Sequence, residues 1–240
     1  MTKKTIISHF YNEEYLLPWW LNHHKQFFDH GILINYNSTD DSVNIIKSIC
    51  PTWEIIDSKN AVFDAKLVDD EISNLEKTID GWRICLNTTE FLIGNYLEVD
   101  NINCTSYTIP SFVMVDNDFL NIPNYNESLI NQKKFGIPYK NNFFMRRARL
   151  LHTSKEICYP LGRHFDQYNT EKFAILWYGW SPFNDFIINR KLQIQNKIPE
   201  SDKQRGFGSQ HIITRTQLYD EFNKMLNLAK DLTEELENYL

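Results

Sequence analysis

Short β-rich runs alternate with amphipathic segments between residues 5 and 86, and this alternation restricts the fold more than any other feature of the chain. Thr5-Ile6-Ile7-Ser8-His9-Phe10, Ile32-Leu33-Ile34, Trp53-Glu54-Ile55-Ile56 and Trp82-Arg83-Ile84-Cys85-Leu86 have strand length and strand composition. Between them, Leu16, Trp20, His23 or His24, and Phe27 recur at helical spacing, as do Val43, Ile46 and Ile49, then Val68, Ile72, Leu75 and Ile79. Asn12 is placed to cap the first helix, with Glu13 and Glu14 at its positive end, and Gly31 to follow its last turn. Pro18 is tolerated only in a first turn, and Pro51 stops the second helix. Four strands alternating with three helices predict a parallel sheet with right-handed crossovers and helices on both faces. Ligands bind such sheets beyond the carboxyl ends of the strands. That rule selects residues 10–14, 35–40 and 87–90, all dense in polar side chains.

The regular alternation ends near residue 100. Tyr107-Thr108-Ile109, Phe112-Val113-Met114-Val115 and Phe143-Phe144-Met145-Arg146 read as strands, with an Asn-rich loop over 117–142. Trp177-Tyr178-Gly179-Trp180-Ser181-Pro182 is expected to open a helix reaching Arg190, and 198–208 to form a loop. Thr216 is expected to cap one long final helix. Its residues Leu218, Phe222, Met225, Ala229, Leu232, Leu236 and Leu240 form a stripe at alternating steps of four and three. The stripe is expected to pack back on its own domain, to pair with a second copy in a homodimer, or to lead into a further domain of a longer chain.

With 240 residues, 42% hydrophobic and 23% charged, the chain has the balance of one globular domain. A net charge of −6 argues against a nucleic-acid partner, which calls for a basic face. No apolar run has transmembrane length, and the N-terminus lacks the apolar core of a signal peptide. Cys50, Cys85, Cys104 and Cys158 show no CxxC spacing, which argues against zinc and for a reducing, cytoplasmic setting. Aromatic residues reach 14%, as a bulky core or a stacking cleft requires. Glycine-rich phosphate loops and a G-x-S-x-G elbow are both missing from the sequence. Any nucleotide must therefore be held by side chains.

Ser8-His9-Phe10-Tyr11-Asn12-Glu13-Glu14, then Trp19 to His24, then Asn35-Tyr36-Asn37-Ser38-Thr39-Asp40-Asp41-Ser42, resemble in order and spacing the opening of family 2-like glycosyltransferases of GT-A fold. The nearest branch by this resemblance is that of algal-virus and bacterial enzymes, and the likeness covers roughly residues 5 to 95. It implies an α/β, Rossmann-like nucleotide-diphospho-sugar transferase with a mostly parallel central sheet and a long C-terminal helix. One domain over 1–240 would comprise a nucleotide-sugar half (1–100), an acceptor half (101–215) and the helix (216–240).

The resemblance also implies roles. Tyr11 would stack near the base of a nucleotide-sugar donor, a UDP-sugar by preference, with Asn12 and Glu13 shaping the pocket. Asn35 stands where the family has a base-reading aspartate, and its amide can still bond a uracil edge. Asn37 and Ser38 would line the same turn, and Asp40 would brace it. Helix capping is the plain alternative for Asn12, Ser38 and Thr39. After the fourth strand the family carries an acidic D-x-D-E-F that binds Mg²⁺ or Mn²⁺. This chain has Asn87-Thr88-Thr89-Glu90-Phe91. Asn87 and Thr89 would still face the donor. Either Glu90 and another acid hold the metal, or no metal is used.

In the second case cations must carry the diphosphate, and Lys203, Arg205 and His211 of the glycine-containing 198–211 segment are suited to it. Asp116 is the expected base, with Asp118 next, because transfer to a hydroxyl needs a carboxylate beside the acceptor. His164 and Trp180 would line the acceptor cleft, whereas Arg146, Arg147 and Arg149 read as a solvated strand face. The expected activity is sugar transfer, with inversion, to a glycan, lipid-linked or protein hydroxyl. The alternative from another class is a catalytically silent GT-A relative that binds carbohydrate or acts as a scaffold subunit. A nucleotidyltransferase is a third, weaker reading.

Overall fold

The computed structural model describes residues 2–95, 99, 104–141 and 147–240. Strands β1 (Lys4–Phe10), β2 (His30–Asn35), β3 (Glu54–Asp57) and β4 (Trp82–Cys85) alternate with helices α1 (Leu17–His24), α2 (Ser42–Ile49) and α3 (Ala65–Glu76). The four strands pair in parallel in the order β3-β2-β1-β4, with Ile7 opposite Ile32 and Ile6 opposite Ile84. Ile6 and Ile7 point to opposite faces and both are fully buried, as expected of a parallel strand covered on both sides. Pro18 lies in the first turn of α1, where its missing N–H costs nothing.

Two local expectations change. Leu16, not Asn12, is the N-cap of α1, and Gly31 lies inside β2 rather than after the helix. A Cβ on Gly31 would come within 2.1 Å of the Trp53 ring, so that glycine makes room for a tryptophan lying on the strand.

The second half adds β5 (Glu90–Gly94), β6 (Ser106–Ile109), β7 (Ser111–Val115), α4 (Leu129–Gln132), β8 (Phe135–Ile137), β9 (Arg149–His152) and β10 (Phe173–Trp180). Strands β9 and β6 extend the first sheet with antiparallel pairing, so β9 alone runs against the other five strands. The strand expected over 143–146 lies outside the described residues. The stretch expected to open a helix at Trp177 is instead the buried strand β10, flanked by β5 and β7. Its aromatic and β-branched side chains fit a covered sheet, and the helix α5 (Asp185–Gln193) starts only where Asn184 caps it. The expected loop after Ile198 contains the short helix α6 (Glu200–Gln204).

The final helix, α7 (Arg215–Leu228), begins at Thr214 with a capping box to Gln217, two residues before the expected cap. It ends at Leu228 instead of running to the last residue. The strand β11 (Lys230–Asp231) then joins β8, Leu232 donates its amide to the Lys134 carbonyl, and α8 (Thr233–Glu237) follows. The stripe is thereby divided within one chain. Leu218, Phe222 and Met225 pack with Val113, Val115, Trp180 and Phe183, while Leu232 and Leu236 enter the main core. Self-packing is the arrangement adopted, and no continuous stripe is left to pair with a second copy. The main core includes Ile6, Leu33 and Ile84 of the first sheet and Phe112 and Ile175 of β11-β8-β7-β10-β5. Among the described residues no helix is long and apolar enough to cross a membrane.

Candidate active site

The turns after β1 and β2 are tied to each other by side chains. The Asn12 amide donates to Ser38 Oγ at 3.1 Å, and Asn12 Oδ1 accepts from the Thr39 amide at 2.8 Å. Asn35 Oδ1 accepts from the Ser38 amide at 2.9 Å, and its Nδ2 donates to Asp57 Oδ1 at 3.1 Å. Asp40 receives the amides of Glu14 and Ser42, and so braces both turns. Asn12 and Asn37 have φ of 51° and 59°, a region that asparagine tolerates better than most residues. Neither Asn12, Ser38 nor Thr39 caps a helix; they join two loops. Asn37 is exposed at the tip.

Helix α5 closes this corner. Arg190 grips the buried Glu13 with contacts of 2.6 and 2.7 Å, and Gln193 reaches the carbonyls of Tyr11 and Asn12. Lys197 places its ammonium 4.3 Å from the centre of the Tyr11 ring. Glu13 is therefore a tether for α5 rather than a group open to a ligand.

Beyond β4 the acid expected at the metal has another role. Glu90 is fully buried and opens β5. Arg149 Nη2 bonds its Oε1 at 2.7 Å, Arg149 Nε bonds both oxygens at 3.0 and 3.1 Å, and the Asn87 amide bonds Oε2 at 2.8 Å. Thr89 is 2% exposed, so only Asn87 of this turn meets solvent. A divalent ion needs free, hard oxygen donors. Glu90 has none to offer, Asn87 and Thr89 are neutral, and no group of three His, Cys, Asp or Glu among the described residues is placed to hold a metal. The residues present do not fit the family's metal. Arg149 is likewise not a solvated residue, and Arg146 lies outside the described residues.

Asp116, at the end of β7, is 2% exposed. Its carboxylate accepts from Lys133 Nζ at 2.8 Å, from the Phe183 amide at 2.8 Å and from the Asp118 amide at 3.1 Å. Lys133 also reaches the Asp118 carbonyl at 2.7 Å. A carboxylate held by an ammonium and two amides braces the turn. It is not open to an acceptor, which corrects the choice of Asp116 as base. The side chain of Asp118 is exposed two residues further on. Lys133, 5% exposed, is the partner that the sequence reading missed, since nothing local distinguishes it from Lys134.

Trp180 is core: its ring packs among Phe183, Ile188 and Phe222, which removes it from an acceptor wall. His164 is half-buried, and burial together with Arg149, Arg147 and Arg163 holds its ring far below the usual histidine range. Its Nδ1 is buried and has no hydrogen-bond partner among the described residues.

Of the three donors expected in the 198–211 segment, two are drawn to carboxylates. Arg205 binds Asp202 and lies 3.7 Å from Asp64, and Lys203 is exposed, 3.6 Å from Glu200. His211 instead lies near Lys191, Arg190 and Arg147, and burial followed by these charges brings it down to about 4. Arg147, expected on a solvated strand face, is instead half-buried against Trp177, and Lys191, to which the sequence analysis gave no role, lies against the same ring. Their signal was the Trp177-x-x-Trp180 pair, which the helix expectation obscured.

No family model and no curated protein matches the chain. Among solved structures it is similar to residues 1–349 of S. aureus TarS, at 13% identity and a TM-score of 0.38, over 63% of this chain and 47% of that one. The same protein in complex with UDP gives 0.39 at 13% identity, over 63% and 46%. Glucosyl-3-phosphoglycerate synthase from Mycobacterium tuberculosis, in complex with Mn²⁺, UDP and glucosyl-3-phosphoglycerate, gives 0.34 at 14% identity, over 47% of this chain and 44% of that one. The chain spans less than half the length of these structures.

Proposed function

We propose that the protein is a cytoplasmic glycosyltransferase that moves a sugar from a nucleotide-diphosphate donor, a UDP-sugar, to a hydroxyl acceptor with inversion. The observation that carries this reading is where the resembling motifs fall. The turns at Tyr11–Glu13, Asn35–Asp40 and Asn87–Thr89 all lie at the carboxyl ends of parallel strands, where open α/β sheets bind ligands. Tyr11, Asn12, Asn35, Asn37 and Ser38 are the proposed base and ribose contacts, with Asp57 beside Asn35 as a further acceptor.

Asp118 replaces Asp116 as the proposed base. Its turn lies next to the one after β1, because the same Phe183–Asn184 segment bonds Asp116 and, through Asn184 Nδ2, the Tyr15 hydroxyl at 2.6 Å. In the proposed step the acceptor oxygen attacks the anomeric carbon while its proton passes to Asp118. The bond from that carbon to the donor's phosphate oxygen breaks, and its electron pair stays on the phosphate. Four free cysteines support a reducing compartment.

The test is thermal unfolding against a panel of nucleotide-sugars, with Mn²⁺ and with chelator. A ligand that binds only the native state raises Tm. Protection by a UDP-sugar is expected; a panel in which no nucleotide-sugar protects overturns the reading.

A further inference from the structure

We propose that Arg147, Lys191 and His211, the first two seated on the buried rings of Trp177 and Trp180, form a metal-free anion site that takes the phosphoryl charge of a diphosphate. The assignment of that diphosphate to the donor rests on the transferase reading above; the anion site itself does not.

Geometry comes first. The Arg147 guanidinium lies 4.0 Å from the centre of the Trp177 ring, and Lys191 Nζ lies 5.5 Å from Trp177 and 3.8 Å from Trp180. The two rings are 7% and 5% exposed, whereas Arg147, Lys191 and His211 are each half-buried and meet solvent. Two basic groups are thus held on neighbouring aromatic faces.

Charge matching comes second. Four buried carboxylates of this region are each taken by another cation: Glu90 by Arg149, Glu13 by Arg190, Asp69 by Arg163 and Asp116 by Lys133. Among the described residues no carboxylate makes an ion pair with Arg147 or Lys191. Two like charges left together in a half-buried site are unfavourable until an anion joins them. The protonation equilibria agree: burial and then the neighbouring charges push Lys191 well below its usual range, and burial pushes Arg147 down to about 10.

Position comes third. Lys191 follows Arg190, which holds Glu13 of the turn after β1, and Arg147 stands two residues before Arg149, which holds Glu90. The unmatched pair therefore flanks the turns where the proposed donor lies, beside the acid that is withdrawn from metal binding. Two fixed cations and a histidine suit a compact dianion or trianion. A long polyanion is disfavoured by the net charge of −6.

The test is calorimetric binding of inorganic pyrophosphate, inorganic phosphate and UDP in excess chelator, then with Mn²⁺. Pyrophosphate and UDP are expected to bind in chelator and to compete, with Mn²⁺ changing either affinity less than about twofold. Arg147→Ala and Lys191→Ala should each weaken pyrophosphate by roughly tenfold or more, the scale of one charge-assisted contact. Arg147→Lys, which keeps the charge, should recover part of the loss and so separates binding from misfolding. Pyrophosphate binding that requires Mn²⁺, or that survives both alanine variants unchanged, overturns the site. Phosphate binding that UDP does not displace moves the anion to the acceptor and overturns the donor assignment. If pyrophosphate binds as expected while no nucleotide-sugar protects, the anion site stands and the transferase reading falls. If a nucleotide-sugar protects while pyrophosphate binds only with Mn²⁺, the transferase reading stands and the anion site falls.

Discussion

Arg149 and Glu90 meet in the core as a two-pronged ion pair, Nη2 to Oε1 at 2.7 Å, with each side chain about 1% exposed. Arg149 also donates to the carbonyls of Gly162 and Arg163, so its guanidinium ties the start of β5 to the turn before His164. The pair organises the polar interior beneath the candidate site and leaves the carboxylate no vacancy for a cation.

Glu90→Gln is accordingly expected to act on folding. Removing one partner of a buried pair strands the other charge, at a cost of about 3–5 kcal/mol. Urea unfolding should show that loss, and Mn²⁺ titration should give the same result as for the parent. A stable Glu90→Gln protein with weakened Mn²⁺ binding would contradict the assignment.

Asp116→Asn and Asp118→Asn should separate cleanly. The first leaves the buried Lys133 ammonium without its counter-ion, and a loss on the order of 3 kcal/mol is expected. The second removes an exposed carboxylate, so stability should stay within about 0.5 kcal/mol while turnover falls roughly 10²-fold or more. Donor affinity of Asp118→Asn should remain within a few fold, since loss of a base is felt in the transition state. Undiminished turnover in Asp118→Asn rejects that residue as the base.

Acid should destabilise the ligand-free protein. His9 is buried, and desolvation brings it down to about 4 in spite of its hydrogen bond to Glu71 at 3.1 Å; burial also lowers His23 and His24. In the unfolded chain these rings titrate near 6.5. Between about pH 6.5 and 4 the unfolded state takes up protons that the native state does not, so stability is full above 6.5 and declines as pH falls. Glu71 adds a second decline at lower pH. Partial burial opposes its charge, but bonds from His9, Lys59 and Ser58 bring it down to about 2, so its contribution is lost as pH falls from about 4.5 through 2. Tm measured from pH 7.5 to 4 should drop, and His9→Gln should flatten part of the slope. A level profile over that range refutes the assignment of buried neutral rings.

The C-terminal segment is expected to be indispensable. Leu232 and Leu236 are fully buried in the main core, and β11 covers β8. Truncation after Leu228 removes both leucines and should yield an insoluble or strongly destabilised product, the loss of two core leucines alone costing several kcal/mol. A soluble truncated chain with unchanged Tm would show that the tail is dispensable.

Much of the site's polar chemistry was legible only in part. Asp40 was expected to brace its turn, and it does so with two backbone amides. Asn12 and Ser38 were placed together by their turns, yet capping and loop-joining use the same residue types, so sequence alone left the choice open. Asn87 keeps its place on the solvent side, while Thr89, two residues on, is turned inward by the pairing of its carbonyl with Tyr178.

Local pattern determined the alternation of β1 to β4 with α1 to α3, because strand and helix periods are read from neighbours a few residues apart. From that alternation followed the parallel sheet and the three turns at its carboxyl edge. Tertiary structure alone decided what each charge does. Glu90 meets Arg149 across 59 positions and Asp116 meets Lys133 across 17, distances over which periodicity carries no information. The same holds for the final stripe, whose spacing suits one helix until pairing with β8 interrupts it and sends its two halves into different cores. A side chain's type and neighbours set what it can do; whether a carboxylate is a base, a metal ligand or a brace depends on which cation the crossovers bring to it.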